Sequence, residues 1–167
     1  MLSLELETGM KKQTLQLMMV MAAFVWAGMV AGISFLEAPV KFTAPHVTLE
    51  IGLGIGRLVF GYLNKVELVL CAAVFLGALY SQSTGKVWLW VLSLTSLLLL
   101  QSFWLLPALD VRALAILAGQ DPGESVLHLV YVALEIVKLV LLLSTGCMVF
   151  VAALKQEQQL RYKKFSV

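Results

Sequence analysis

Charge is scarce in this chain. Asp, Glu, Lys and Arg make up 13% of its 167 residues, about half the share usual in a soluble domain. A surface facing water needs more, and with 60% hydrophobic residues the composition points to an integral membrane protein with the lipid bilayer as its first partner. The formal net charge of +2 is too small for a phosphate-binding surface, so no nucleic-acid partner is expected. Cysteine is nearly missing. Cys71 and Cys147 show no metal-type spacing, which argues against a disulfide scaffold or zinc module and reads as two buried, inert thiols. Histidine occurs twice, at His46 and His128. Only His128 falls in a long apolar run, which argues against a haem held by two histidines inside a membrane. Proline occurs four times, at 39, 45, 107 and 122, so the runs between these points are free to be helical.

What is present is a series of long apolar runs, at about 14–36, 57–80, 87–106 and 124–154. Each is long enough to cross about 30 Å of hydrocarbon as a helix. The expected fold is all-α, a single transmembrane domain over residues 1–167, built as a four-helix bundle. Residues 1–13 read as a short polar tail. The run after Lys11 and Lys12 exceeds a signal-peptide core of about 7–15 residues and reads as an uncleaved first span. Pro39 and Pro45 predict a partly irregular outer segment over 37–56, folded back over the mouth of the bundle. Gly52, Gly54 and Gly56 have neither the spacing nor the preceding strand of a dinucleotide fingerprint; a close-packed helix start suits them better. Pro107 is expected to close the third span, and 108–118 to form a short interfacial helix. Asp121, Pro122 and Glu124 resemble the cap, first turn and capping box of the last span.

Four spans put both termini on one side. Lys11, Lys12, Lys86, Lys155, Arg161, Lys163 and Lys164 would then lie inside, against Lys41, Arg57 and Arg112 outside, which predicts cytoplasmic termini. Gly28 and Gly32, four apart in the first span, offer a face for close helix contact and for a homo-oligomer.

The informative stretch is 124–142. On a helix, Glu124, His128, Tyr131, Glu135 and Lys138 fall within an arc of about 80°. The opposite face is Leu, Val and Ile. Lipid cannot solvate such a stripe, so it must face protein or water. The second span carries Arg57, Asn64, Lys65 and Glu67 within about 160°. Depths along the helices pair Glu67 with Lys138 and Glu135 with Lys65, all in the outer half. With Glu37, these residues define an expected site of Glu37, Arg57, Asn64, Lys65, Glu67, His128, Tyr131, Glu135 and Lys138, open to the outside, binding a cation or small polar ligand. Glu67 and Glu135 would supply negative charge, His128 a titratable gate, and Lys65 and Lys138 the balance. Two alternatives compete. One is a metal- or haem-dependent membrane oxidoreductase, with His128, Glu135 and Glu67 as metal ligands; a transition metal or haem is possible and neither is firmly implied. The other is a structural or assembly subunit whose buried charges only fix helix packing.

The segments FLEAPVKFTAP, IGRLVF, LLPALD and LHLVYVALEIVK resemble a family of small bacterial four-span inner-membrane proteins with no assigned activity. That resemblance implies the same architecture and a bacterial inner-membrane location. The chain bears a looser similarity to the group of four-helix membrane proteins that contains copper-resistance CopD domains and HemJ-type protoporphyrinogen oxidases, the latter using a membrane histidine and lysine around haem. Here His128 and Lys138 share one helix and the first span holds no histidine.

Overall fold

The computed structural model describes residues 2–81 and 83–165. Among these residues there is no β-strand, and the chain is all-helical. Four helices are long and apolar enough to cross a membrane: Glu7–Thr43, Leu49–Tyr80, Gly85–Leu117 and Leu127–Tyr162. Their regular parts are α1 (Leu2–Val30), α2 (Leu49–Tyr80), α3 (Gly85–Leu100), α4 (Leu106–Leu117) and α5 (Leu127–Phe165).

The helices outrun the expected spans. The polar N-terminal residues are helical from Leu2. A Glu7–Lys11 pair at 2.8 Å supports this turn, and Gln156 Nε2 of α5 donates to the Gly9 carbonyl at 2.7 Å. That bond also places both ends of the chain at one end of the bundle. Pro39 and Pro107 do not end their helices. Each follows a π-helical stretch by two residues: Ala31–Glu37 before Pro39, and Gln101–Leu105 before Pro107. A proline ring clashes with the carbonyl four residues back in an α-helix and removes one hydrogen bond. The wider π turn shifts that carbonyl out of register, so the chain continues. Residues 108–117 are thus an extension of the third long helix, not a detached one.

Elsewhere the expectation was too generous to helix. The last helix begins at Leu127, so Asp121, Pro122 and Glu124 lie before it. Gly119 and Gly123 hold φ of 74° and 73°, a left-handed conformation that a helix cannot include and that glycine adopts without strain. Asp121 accepts from the Gly123 N–H at 2.9 Å, and Arg112 donates to the carbonyls of Pro122 and Gly123. Thr48 caps α2 by accepting from the Ile51 N–H at 3.3 Å. Gly52 and Gly56 sit buried in its first turns, against Phe42 and Lys41, which lets 37–48 lie close over the bundle end.

The core has two layers. Near the termini, Met19, Val74, Ala78, Val87, Val91 and Val149 meet. Towards the middle, Trp26, Val30, Cys71, Leu94, Leu98 and Leu142 meet. Leu58, Val69, Phe103 and Leu129 project from the outside of the bundle, a girdle that acyl chains can cover. Cys147 is also on that exterior and only Cys71 is buried. Gly28 and Gly32 are not close-contact points within the chain: a Cβ there would meet open space. Between the spans, close approach is permitted at Gly77 instead, where a Cβ would strike the Met19 side chain. Gly77→Val is therefore expected to destabilise the bundle by about 1–3 kcal/mol. Thermal unfolding in detergent measures this, and Met19→Ala in the same chain should recover most of the loss.

Candidate functional site

Three ionisable side chains meet in the interior of the bundle, at a point all four long helices reach. Lys138 is fully buried, as is Glu135, and Glu67 is 2% exposed. Lys138 Nζ donates to Glu67 Oε1 at 2.6 Å and to Glu135 Oε1 at 2.7 Å. Glu135 and Lys138 are one turn apart on α5, so the helix itself presents both to one point. Glu67 reaches the same point from α2. The remaining valences are met by neutral donors. Trp26 Nε1 of α1 donates to Glu67 Oε1 at 2.8 Å. Gln101 Nε2 donates to Glu135 Oε1 at 3.0 Å, and Ser34 Oγ to Glu135 Oε2 at 2.9 Å. Ser34 and Gln101 both lie in the π-helical stretches. The turns that accommodate the prolines thus also aim polar groups at Glu135.

Two acids share one ammonium. No other cation pairs with Glu67 or Glu135 among the described residues. With both acids ionised the cluster keeps one unit of negative charge, in a place where an uncompensated charge is costly. A proton or an added cation would balance it.

Above the cluster, at the end away from the termini, lies a cavity of about 950 Å³. Glu135, Ser34 and Tyr131 line it, with Phe42, Phe60 and Leu106 among its apolar walls. Phe60 and Tyr131 meet edge to face, with centroids 5.5 Å apart. Two polar ties brace the wall. Asn64 Nδ2 donates to Ser102 Oγ at 2.7 Å. Arg57 grips Asp110 in a two-pronged pair, Nη2 to Oδ2 at 3.1 Å. At the rim Lys41 lies 3.5 Å from Glu37 and faces the rings of Phe42 and Phe60. His128 is exposed and lines the same cavity.

The residues expected from sequence are therefore distributed unevenly. Arg57, Asn64, His128, Tyr131 and Glu135 line the cavity; Lys138 lies just beneath it in contact with Glu135, and Glu67 joins them through Lys138. Glu37 touches it only through Lys41. Lys65 is not brought in. It is exposed on the outside of α2, with its ammonium 4.8 Å from the centre of the Tyr62 ring, and the pairing of Lys65 with Glu135 does not form. Lys138 serves both acids instead. Glu124 lies in the loop before α5 and drops out of the stripe. Among the described residues no group of three His, Cys, Asp or Glu side chains is placed to hold a metal ion; His128 stands at the rim while Glu67 and Glu135 are occupied by Lys138. Trp26, Ser34, Lys41, Gln101 and Asp110 belong to the arrangement and escaped the sequence reading. A tryptophan and a glutamine deep in apolar runs were the available signals, since each carries a polar group that must find a partner.

Fold and site together define an all-helical chain with four helices fit to cross a membrane, a buried ion network and a polar-floored cavity at one end. No protein-family model matches the chain, and neither a curated protein nor a solved structure is significantly similar to it.

Removing the ammonium alone strands two buried acids. Lys138→Met is expected to cost about 3–5 kcal/mol. Adding Glu67→Gln and Glu135→Gln to it should return most of that stability. Unfolding of both variants in the same detergent checks the pair; equal losses would show that charge is not the cause.

Proposed function

We propose that the chain is a multi-pass protein of a bacterial cytoplasmic membrane, with both termini inside, whose cavity opens to the outside and binds a cation or small polar ligand at Glu135. The excess of basic residues towards the termini supports this orientation. The end of the bundle formed by 37–56 and 106–126 would then include the short outer helical pieces at the lipid–water boundary.

One observation carries the reading. Glu135 lines the cavity while sharing the single ammonium of Lys138 with Glu67. A cation arriving on the cavity side would supply the missing charge without disturbing the Lys138 bonds. The aromatic walls favour a compact organic cation, an ammonium on a small apolar body, because aromatic faces attract such groups. Arg57 is already engaged by Asp110 and so does not repel it. His128 and Lys41 at the rim would set the electrostatic cost of entry. The redox alternative has less support, since His128 and the two acids do not converge. The scaffold alternative makes the same network purely structural, and ligand binding separates the two.

Benzylammonium is a suitable probe, with benzyl alcohol as its uncharged match. Calorimetric titration of the purified protein is expected to detect the cation and not the alcohol. Glu135→Gln should weaken binding by at least about tenfold, or 1.4 kcal/mol, while the bundle stays folded. Equal binding of both probes, or none of either, would remove the ligand reading and leave the scaffold. Orientation has its own test. Gly61 lines the cavity and a side chain there meets open space. Gly61→Cys, in a chain with Cys71 and Cys147 replaced by Ser, should react with an impermeant maleimide added outside intact cells. Labelling only after the cells are opened would reverse the assignment.

A further inference from the structure

A second cavity lies at the other end of the bundle, where the sequence promised only apolar packing and a basic tail. It measures about 630 Å³ and sits between the start of α1, the end of α5 and the turn joining α2 to α3. Its chemistry is the reverse of the first. Lys12 and Lys155 line it, and among the described residues no acidic one does. The acids nearest in sequence are already paired elsewhere, Glu7 with Lys11 and Glu157 with Arg161. Neither lysine has an ion-pair or hydrogen-bond partner among the described residues.

The rest of the lining is rich in groups that both donate and accept. Gln16, Ser83, Thr84, Gln156 and Gln159 all contribute. Gln16 is the telling one. It is 6% exposed, and its buried Oε1 has no hydrogen-bond partner. A buried amide oxygen left without a donor is costly and uncommon in a folded protein. Among the described residues nothing supplies that donor. A hydroxyl or amine entering from the cavity would.

We infer that this cavity binds a phosphorylated polyol: a phosphate held between Lys12 and Lys155, with hydroxyl groups that donate to Gln16 and exchange hydrogen bonds with Gln156, Gln159 and Thr84. The lysines account for the anion and the carboxamides for the hydroxyls. A bare phosphate can offer Gln16 only the one or two P–OH protons it keeps at neutral pH, on the same anion the lysines hold, and a zwitterionic choline headgroup has no donor at all. Two sources carry the required chemistry. One is a glycerol-bearing anionic lipid headgroup, since the cavity adjoins the apolar belt and basic pockets between spans hold such groups. The other is a soluble glycerol phosphate. This site is independent of the cavity above Glu135.

The test uses the full chain in nanodiscs and in detergent. Native mass spectrometry after release from nanodiscs of mixed phosphatidylglycerol and phosphatidylcholine should find phosphatidylglycerol retained. Lys12→Gln with Lys155→Gln should reduce retention at least fivefold, and so should Gln16→Leu, a change that keeps both lysines. Titration of the detergent-solubilised protein with glycerol 1-phosphate, and separately with inorganic phosphate, identifies the source. Retained phosphatidylglycerol without glycerol 1-phosphate binding assigns a lipid; binding of both, or of glycerol 1-phosphate alone, assigns the headgroup chemistry itself. Benzylammonium binding should be unchanged in these variants. Equal retention of phosphatidylglycerol and phosphatidylcholine together with no glycerol 1-phosphate binding, or inorganic phosphate binding as tightly as glycerol 1-phosphate, would overturn the inference. So would Gln16→Leu retaining lipid as the unaltered chain does while remaining folded.

Discussion

The structure depends on one ammonium group held by two carboxylates where neither water nor lipid can help. Lys138 draws Glu67 of α2 and Glu135 of α5 to one point. Trp26 brings α1 to it and Gln101 brings the third long helix. All four long helices therefore meet on a single polar cluster inside an otherwise apolar core. Such a cluster is not a net source of stability, because desolvating the charges offsets much of their attraction. Its effect is on register. Apolar side chains pack nearly as well after a helix slides by one turn, whereas these hydrogen bonds survive in one alignment only.

The same cluster explains the two irregular stretches. Ser34 and Gln101 lie in π-helical segments, two residues or more before prolines that a regular helix would not carry. The widened turn solves a steric problem at Pro39 and Pro107 and redirects a polar side chain at Glu135. The cavity opens there, floored by Glu135 and walled by apolar and aromatic groups. The two π turns and the charge geometry at the cavity floor are thus joined through Glu135.

Much of this was legible in the amino-acid order. Ionisable residues recurring on one face of a greasy run can only face inward, so Tyr131, Glu135 and Lys138 were readable as a buried stripe. Glu67 followed from its depth on the second run. What misled was the treatment of proline as a terminator, which cut α1 and the third helix short and made 108–118 a separate piece. A π turn leaves no composition signature, so its position could not be read. Lys65 was misplaced for a different reason. It and Glu67 stand about 160° apart around α2, and when Glu67 turns inward with Asn64, Lys65 must turn out. The neutral members of the network were missed because Trp26, Ser34 and Gln101 carry no charge to mark them, and their directions depend on helix packing. The cavity beside the termini was missed because lysine and glutamine near chain ends read as solvated tails.

The most direct test of the shared ammonium is a contact measurement in a bilayer. Protein labelled with ¹⁵Nζ-lysine and ¹³Cδ-glutamate can be studied by dipolar recoupling in solid-state nuclear magnetic resonance, with Lys138→Met to assign the signal. The account requires one ammonium nitrogen coupled to two carboxyl carbons, one coupling vanishing in Glu67→Gln and the other in Glu135→Gln. A Lys138 nitrogen coupled to one carboxyl alone, or to none, would contradict it.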